Sequence, residues 1–342
     1  MKITAIVGLA AILLAAGAGV ADITIDTVPV GNPDNAADTR YETPGYGAVV
    51  YDYNIGKYEV TAGQYTAFLT AAAGVDAHGL YNTDMWSDTD YGCKIERHAG
   101  SGTSEDPYQY RVAGEYANRP VNYVSWGDAA RFANWLTNGQ PTAAQGPGTT
   151  ETGSYALNGA ITDAALLAVE RIAEGDRAAG KDYYFITSED EWYKAAYYNP
   201  ATSSYFTYPT SSNSAPGCDM EDPSGNNANY CGTAFPIDSP YYTTIVGEFQ
   251  NSDSPYGTFD QGGNVWEWNE SIYYGSDRGL RGGSFYDWIG DGTLHAAGRQ
   301  IGDPTDEGPV VGFRVSSVPE PASLSLLAMG GLAFIRRRRT KT

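Results

Sequence analysis

Apolar positions along this chain come in short bursts rather than long periodic runs. Tyr51 to Glu59 alternates loosely between apolar and polar residues, the period of a half-buried strand. Val28, Val30 and Val49-Val50 are further strand candidates within residues 22–50, which are otherwise polar and rich in Pro, Gly and Asn. Three helix starts carry capping patterns. Thr61-Ala62-Gly63-Gln64 precedes Tyr65, Phe68 and Leu69. Ser125-Trp126-Gly127-Asp128 opens Ala129 to Leu136, where Phe132, Trp135 and Leu136 fall on one helical face. Ser188-Glu189-Asp190-Glu191 opens Trp192 to Tyr198, and Pro200 closes it. Each cap pairs backbone N–H groups that the helix leaves open, an effect of about 1 kcal/mol. Asp163 to Ala173, with Leu166, Leu167, Val169 and Ile172, predicts a fourth helix.

Residues 76–120, 138–160 and 199–262 hold almost no periodic pattern. Loops of that length fold only when something pins them, and ions, a disulfide and tryptophan packing are the available pins. Val265-Trp266-Glu267-Trp268 alternates, which sets Val265 and Glu267 on one face and the tryptophans, expected in the core, on the other. Gly262-Gly263 ahead of it permits a backbone turn closed to other residues. No internal repeat and no linker divides residues 40–317.

The two ends read as addresses. In residues 1–21, Lys2 precedes an apolar run that ends in Gly19-Val20-Ala21, the form of a cleavable export signal with Asp22 as first mature residue; a buried core helix is the alternative. At the other end, Val318-Pro319-Glu320-Pro321 is followed by an apolar stretch from Ala322 to Ile335 and by Arg336-Arg337-Arg338-Arg339. That stretch is short for a full membrane span, and the arginines would stay on the cytoplasmic side. The three-part order resembles the PEP-CTERM sorting signal, with Pro319-Glu320-Pro321 in the motif position. The resemblance implies recognition by an exosortase, cleavage near the motif, and release or attachment at the cell surface; a plain tail anchor is the alternative.

The 342 residues carry a formal charge of −20. Without residues 1–21 and 318–342 the remainder has 15 basic and 40 acidic side chains, a net of −25. Such a surface repels nucleic acid and anionic lipid, and suits a solvated exported protein or one that binds cations. There are three cysteines, Cys93, Cys218 and Cys231, so an exported chain holds at most one internal disulfide. Cys218 and Cys231, in one Gly/Asn/Pro-rich loop, are the expected pair; three unpaired thiols are the alternative.

Six segments in order resemble the formylglycine-generating enzyme family, also called the sulfatase-modifying factor domain. They are Ile55 to Thr61, Arg119 to Trp126, Phe185 to Trp192, Gly262 to Trp268, Arg281-Gly282-Gly283-Ser284 and Gly312-Phe313-Arg314. The resemblance spans residues 40–317, with 22–39 as an N-terminal extension and 318–342 as the sorting segment. It implies an α+β architecture, a large and irregular variant of the C-type-lectin fold with little regular secondary structure.

The resemblance also implies a chemistry. Carried over residue by residue, one calcium site falls on Asp260, Gly263, Val265 and Glu267, and a second on Asn229, Tyr230, Asp238 and Pro240. Hard oxygen donors are what calcium takes, and the role would be structural. The alternative for Glu267 is an ion pair with Arg281 or Arg314. The family's oxidase binds Cu(I) through two cysteines soon after its Gly-Gly-Ser motif. Here Asp287 and Gly292 stand at about those positions, and no cysteine follows Cys231. A carboxylate cannot replace a thiolate pair on Cu(I), so copper and formylglycine generation are not expected. The iron-dependent branch needs three histidine ligands, whereas His78, His98 and His295 are scattered in loops.

The expectation from sequence is therefore an exported, exosortase-sorted surface protein with a calcium-stabilised, non-catalytic domain. It would bind exopolysaccharide or a surface protein, in the periplasm, on the outer surface or in the extracellular matrix, and be held by its C-terminal segment before processing. The rival is an oxidoreductase of the family with altered chemistry in the same groove, carried by Asp287, Asp291, His295 and Arg299.

Overall fold

Three reciprocal caps start the principal helices of the computed structural model, which describes residues 22–318 other than 233, 289 and 291. The export and sorting segments, 1–21 and 319–342, lie outside the described residues. Two strands, β1 (Thr27–Val30) and β2 (Tyr53–Gly56), lead into α1 (Ala62–Ala72) and the single-turn α2 (Asp84–Ser87). A hairpin of β3 (Ile95–Ala99) and β4 (Gln109–Val112) precedes α3 (Trp126–Thr137) and the short α4 (Asp163–Leu167). Then come β5 (Tyr184–Ile186), α5 (Glu189–Tyr197), and the two-residue β6 (Tyr198–Asn199) and β7 (Ser204–Tyr205). The chain closes with β8 (Trp266–Tyr273), β9 (Asp277–Arg281), β10 (Gln300–Gly302), β11 (Val311–Gly312) and β12 (Val315–Ser317).

Thr61, Ser125 and Ser188 each accept from the backbone N–H three residues on, and Gln64, Asp128 and Glu191 return a bond to the cap N–H. The sequence pattern thus marks all three helix starts. It overextends the fourth: α4 stops at Leu167, because the following backbone is drawn into other contacts. Arg171 bridges to Tyr155, and Ile172 N–H donates to Ser154 O. The Val49-Val50 strand does not form. Within residues 22–39, β1 pairs with β2, and Ile23, Ile25 and Val30 join the cores.

Two four-stranded sheets frame the molecule, ordered β1-β2-β12-β5 and β10-β9-β8-β11. In the first, Ser316 on β12 stands opposite both Ile55 and Phe185, so the last strand lies between two early ones. In the second, β11 runs parallel to β8 with Gly312 opposite Glu267. The main core lies around α1 and α3, where Phe132 meets Phe68 at 5.4 Å and Phe313 at 5.4 Å between ring centroids. The expected two faces of Val265 to Trp268 are both buried, because α3 and α5 each pack on β8. Trp268 Nε1 donates to Val124 O, and Trp126 Nε1 donates to Asn269 O.

Buried ion pairs tie these layers. Arg314 and Glu267, both fully buried, make a two-pronged pair at 2.5 and 2.6 Å. Arg314 also donates to the carbonyls of Gly56 and Phe259, and Glu267 accepts from Trp192 Nε1 at 2.8 Å. Arg281 pairs with Glu189 instead. Removing one member leaves the other charge buried alone, which costs about 3–5 kcal/mol. Glu267→Ala is expected to lower stability by that order in urea unfolding, with no fully folded protein at 37 °C as the extreme case.

A second pair, of the buried Asp128 and the half-buried Glu307, has the opposite character. Glu307 lies against Asp128 at the start of α3 and accepts from the Asn82 amide. Burial, then the Asp128 charge, pushes Glu307 up to about 8; burial pushes Asp128 up to about 6. The folded state binds these protons more tightly than the unfolded chain, so their contribution is present at acid pH and is lost as pH rises through 6 to 8. Glu307→Gln keeps both hydrogen-bonding roles without the charge. It is expected to raise Tm by a few degrees at pH 8.5, of the order of 1–2 kcal/mol, and to leave Tm at pH 5 unchanged in thermal unfolding.

Candidate functional site

Two adjoining regions concentrate the chemistry. The first is built by the turn before β8. Gly263 has φ +88°, and a Cβ there would sit 2.1 Å from Asn229 O, so only glycine permits the bridge between Gly263 and Asn229. That approach sets Asn264 as a hub: its Oδ1 accepts from Asn229 Nδ2 at 2.8 Å and from Thr244 N at 3.0 Å.

Of the first expected calcium set, Asp260 is half-buried and accepts from Gly247 N–H at 2.6 Å; burial pushes its carboxyl up to about 6. Glu267 has its oxygens engaged by Arg314 and Trp192. The acid that lacks partners is one the sequence reading missed. Glu59 is 2% exposed, and neither of its carboxylate oxygens has a hydrogen-bond partner. Burial first, and then the charges of Asp260 and Glu267, push its pKa well up, against the pull of Arg314 and of the nearby Asn264 amide. Glu59 follows the short β2, and nothing in its local sequence distinguishes it from a surface glutamate.

The second expected set is less convergent. Asn229 is buried, and its Oδ1 has no partner. Tyr230 donates its hydroxyl to Pro216 O, Asp238 is exposed and accepts from Ser239 N–H, and Pro240 O accepts from Tyr116. The 238–242 loop reaches Asn229 through Tyr242 O, which accepts from Asn229 Nδ2 at 2.9 Å. Among the described residues no three His, Cys, Asp or Glu side chains converge as a metal-ligand group. The orphaned oxygens of Glu59 and Asn229 are nonetheless hard donors, the class calcium takes, and carbonyl and amide oxygens would complete a shell.

The second region is the turn after β9. Asp287 accepts from Ser284 N–H at 2.9 Å and from Ser284 Oγ at 2.5 Å. Its own carbonyl accepts from Cys231 N–H at 2.9 Å, and Cys231 bridges to Trp288. Asp287 is therefore a turn-forming group. His295 accepts from Ala297 N–H at Nδ1 and sits between the rings of Tyr41 and Tyr208; burial, then Arg40, holds its pKa down. Arg299 pairs with Glu189 and Glu42. These three candidates work in separate networks, and Asp291 lies outside the described residues.

What the turn does carry is aromatic. Phe285, fully buried, anchors a cluster of Tyr91, Phe235, Tyr242 and Tyr286, with Tyr91 and Tyr242 at 4.9 Å. Tyr286 and Trp288 are 55% and 52% exposed. These rings come from three distant loops, so no spacing in the sequence announces them.

Cys218 and Cys231 are free thiols rather than the expected disulfide. Cys218 Sγ fills the space over Gly232, 2.8 Å from where a Cβ would stand, while the Cys231 backbone is tied to Asp287. The two remain neighbours: burial, then Cys218, raises the Cys231 thiol. Cys93 is buried apart from them, and burial pushes its thiol up to about 11.

A family model for the sulfatase-modifying factor enzyme 1-like domain matches residues 21–317. One for the PEP-CTERM protein-sorting motif matches residues 317–339. No curated protein matches the chain. Among solved structures, CarF is similar at 20% identity and a TM-score of 0.50, over 86% of this chain and 99% of its own. Treponema denticola variable protein 1 is 18% identical with a TM-score of 0.49, over 88% of this chain and 97% of its own. PvdO from Pseudomonas aeruginosa is 17% identical with a TM-score of 0.44, over 86% and 92%. At these identities the likeness speaks to fold alone, an α+β fold of the formylglycine-generating enzyme type. The sorting motif implies recognition by exosortase machinery, export and sorting in the cell envelope. With its domain model covering nearly the whole described chain, the protein belongs to the sulfatase-modifying factor enzyme 1-like family and carries a C-terminal PEP-CTERM sorting motif.

Proposed function

We propose that this protein is a non-catalytic surface module that is exported by a cleaved signal at residues 1–21, sorted through Pro319-Glu320-Pro321, and used to hold a ligand of the exopolysaccharide envelope. The observation that carries this reading is the Ser284 to Trp288 turn. Where the family resemblance sets copper thiolates, the turn holds Asp287 locked onto Ser284 and presents two half-exposed aromatic rings. A hard carboxylate committed to a turn does not fit Cu(I), and no step through copper at that position follows. A glycan array probed with the purified exported protein tests the reading. Retention of at least one envelope-type glycan is expected, lost on Tyr286→Ala/Trp288→Ala; retention of none removes the glycan part.

Calcium belongs to the same reading. Glu59 and Asp260, with backbone carbonyls of the 260–265 turn, are the groups that would hold the ion, and it would supply the countercharge that the buried Glu59 and half-buried Asp260 lack. At a calcium concentration about a hundred times its Kd, binding would add about 2.7 kcal/mol to stability. Saturating calcium is expected to raise Tm by several degrees relative to chelator, and Glu59→Gln to remove that increment while the protein stays folded. An equal calcium increment in Glu59→Gln, or no effect of chelator on the parent protein, would exclude the role.

One observation favours the rival, altered redox chemistry in the groove: the free thiol Cys231 is bridged to Trp288 of the same turn and has Cys218 as its neighbour. Stoichiometric copper in the purified protein, abolished by Cys231→Ser, would support it. Metal analysis showing calcium alone, with the thiols either titratable or joined as a disulfide, would remove it.

A further inference from the structure

The aromatic cluster beside the Ser284 to Trp288 turn has a charge as well as a shape. Tyr91, Phe235, Tyr242, Phe285 and Tyr286 touch in one patch, with Tyr91 to Tyr286 at 5.9 Å and Phe235 to Tyr242 at 5.1 Å. Carboxylates surround it. Tyr91 N–H donates to Asp88 Oδ1 at 3.2 Å, and Tyr242 N–H donates to Asp238 O at 3.4 Å; burial, then the neighbouring phenols and the charges of Asp90 and Asp88, raise Tyr91, and burial, then Asp238 and Asp90, raise Tyr242. Asp90 and Asp238 are exposed, so their charges face solvent at the rim. Of the cations near these acids, Lys94 is turned to the backbone oxygen of Asp88, and Arg119 is stacked on Tyr241 and donates to Thr243 O. Ring faces attract cations through their negative quadrupole, and neighbouring carboxylates add to that field.

Resting on the surface-module reading above, we propose that this face binds an ammonium-bearing carbohydrate, of the kind a partly de-N-acetylated amino-sugar polymer presents. The half-exposed rings of Tyr286 and Trp288 offer flat apolar area to the C–H face of a pyranose. The rim carboxylates of Asp90 and Asp238 take the ammonium group. An extended peptide is recognised mainly by pairing with a strand edge or by filling an apolar groove. The loops that build this face, 88–91, 235–242 and 285–288, contain no strand longer than the single bridge at Trp288, which favours the sugar.

Calorimetric titration of the purified exported protein with a β-1,4-linked glucosamine hexamer tests this, with the N-acetylated hexamer and poly-lysine of equal charge as comparisons. The glucosamine hexamer is expected to bind at least tenfold more tightly than the acetylated one, and to weaken as salt rises. Tyr286→Ala/Trp288→Ala should lower its affinity at least tenfold, and Asp90→Asn/Asp238→Asn should erase the preference over the acetylated hexamer. All four side chains are exposed or at the surface, and an unchanged far-UV spectrum and Tm verify that the variants fold. Equal binding of the two hexamers, lost in the aromatic variant, overturns the cationic assignment and leaves the surface-module reading standing. Binding of poly-lysine without either hexamer overturns the carbohydrate assignment. Binding of none overturns the proposal, and the glycan array then decides separately whether the broader reading survives.

Discussion

The ion pair between Arg314 and Glu267 is the joint on which this architecture hangs. Four parts of the chain, far apart in sequence, meet there. Glu267 belongs to β8, Trp192 to α5, Gly56 to the end of β2, and Phe259 to the loop that feeds the Gly262-Gly263 turn. A hydrophobic core alone would hold the helices, but it gives loops no fixed geometry. Directional, charge-assisted bonds do, and their strength grows as water is excluded. Arg314 is the residue that makes this possible, because a planar fork of donors can satisfy one carboxylate and two carbonyls at once.

The same joint sets the local electrostatics. Arg314 neutralises Glu267, and its remaining field falls short of what Glu59 and Asp260 require. An interior that holds three carboxylates against one guanidinium takes up either protons or a cation. The orphaned oxygens of Glu59 set this cluster apart from that of Arg171, Glu191 and Glu270, where the arginine meets both acids directly and Glu191 falls to about 2. Within that second cluster the Arg171 pair holds Glu191 down, whereas burial still raises Glu270 although Arg171 pairs with it too, so a guanidinium contact offsets burial for one of the two acids and not for the other.

Much of the scaffold was legible in the sequence. The caps at Thr61, Ser125 and Ser188 are local signals, readable because partner and cap are three residues apart. Val265 to Trp268 announces a strand for the same reason, although its alternation misleads about faces, since α3 and α5 cover both. Asp163 to Ala173 looks helical, yet the claims of Tyr155 and Ser154 on residues 171 and 172 override propensity beyond Leu167. Of the expected calcium ligands, Glu267 is instead engaged by Arg314 and Trp192, and Asp260 lies beside Glu59, which the motif reading did not single out. Glu59 and the rings of Tyr91, Phe235, Tyr242 and Tyr286 converge through tertiary structure, and their neighbours in sequence carry no trace of it.

Charge excess gives the inside and the outside of this protein different consequences. Outside, a surplus of carboxylates is solvated, costs little, and keeps an exported chain dispersed among anionic envelope components. Inside, each uncompensated carboxylate faces a desolvation penalty of several kcal/mol, so it persists only where a countercharge is close at hand. The aromatic face beside Ser284 lies between these limits. Its rim acids are exposed, and the rings beside them form a low-dielectric floor that strengthens the field felt by an arriving cation. A turn that elsewhere in the family's plan would present thiolates to a soft metal here presents aromatic faces and hard oxygens, and the partner that suits those groups is organic and positively charged.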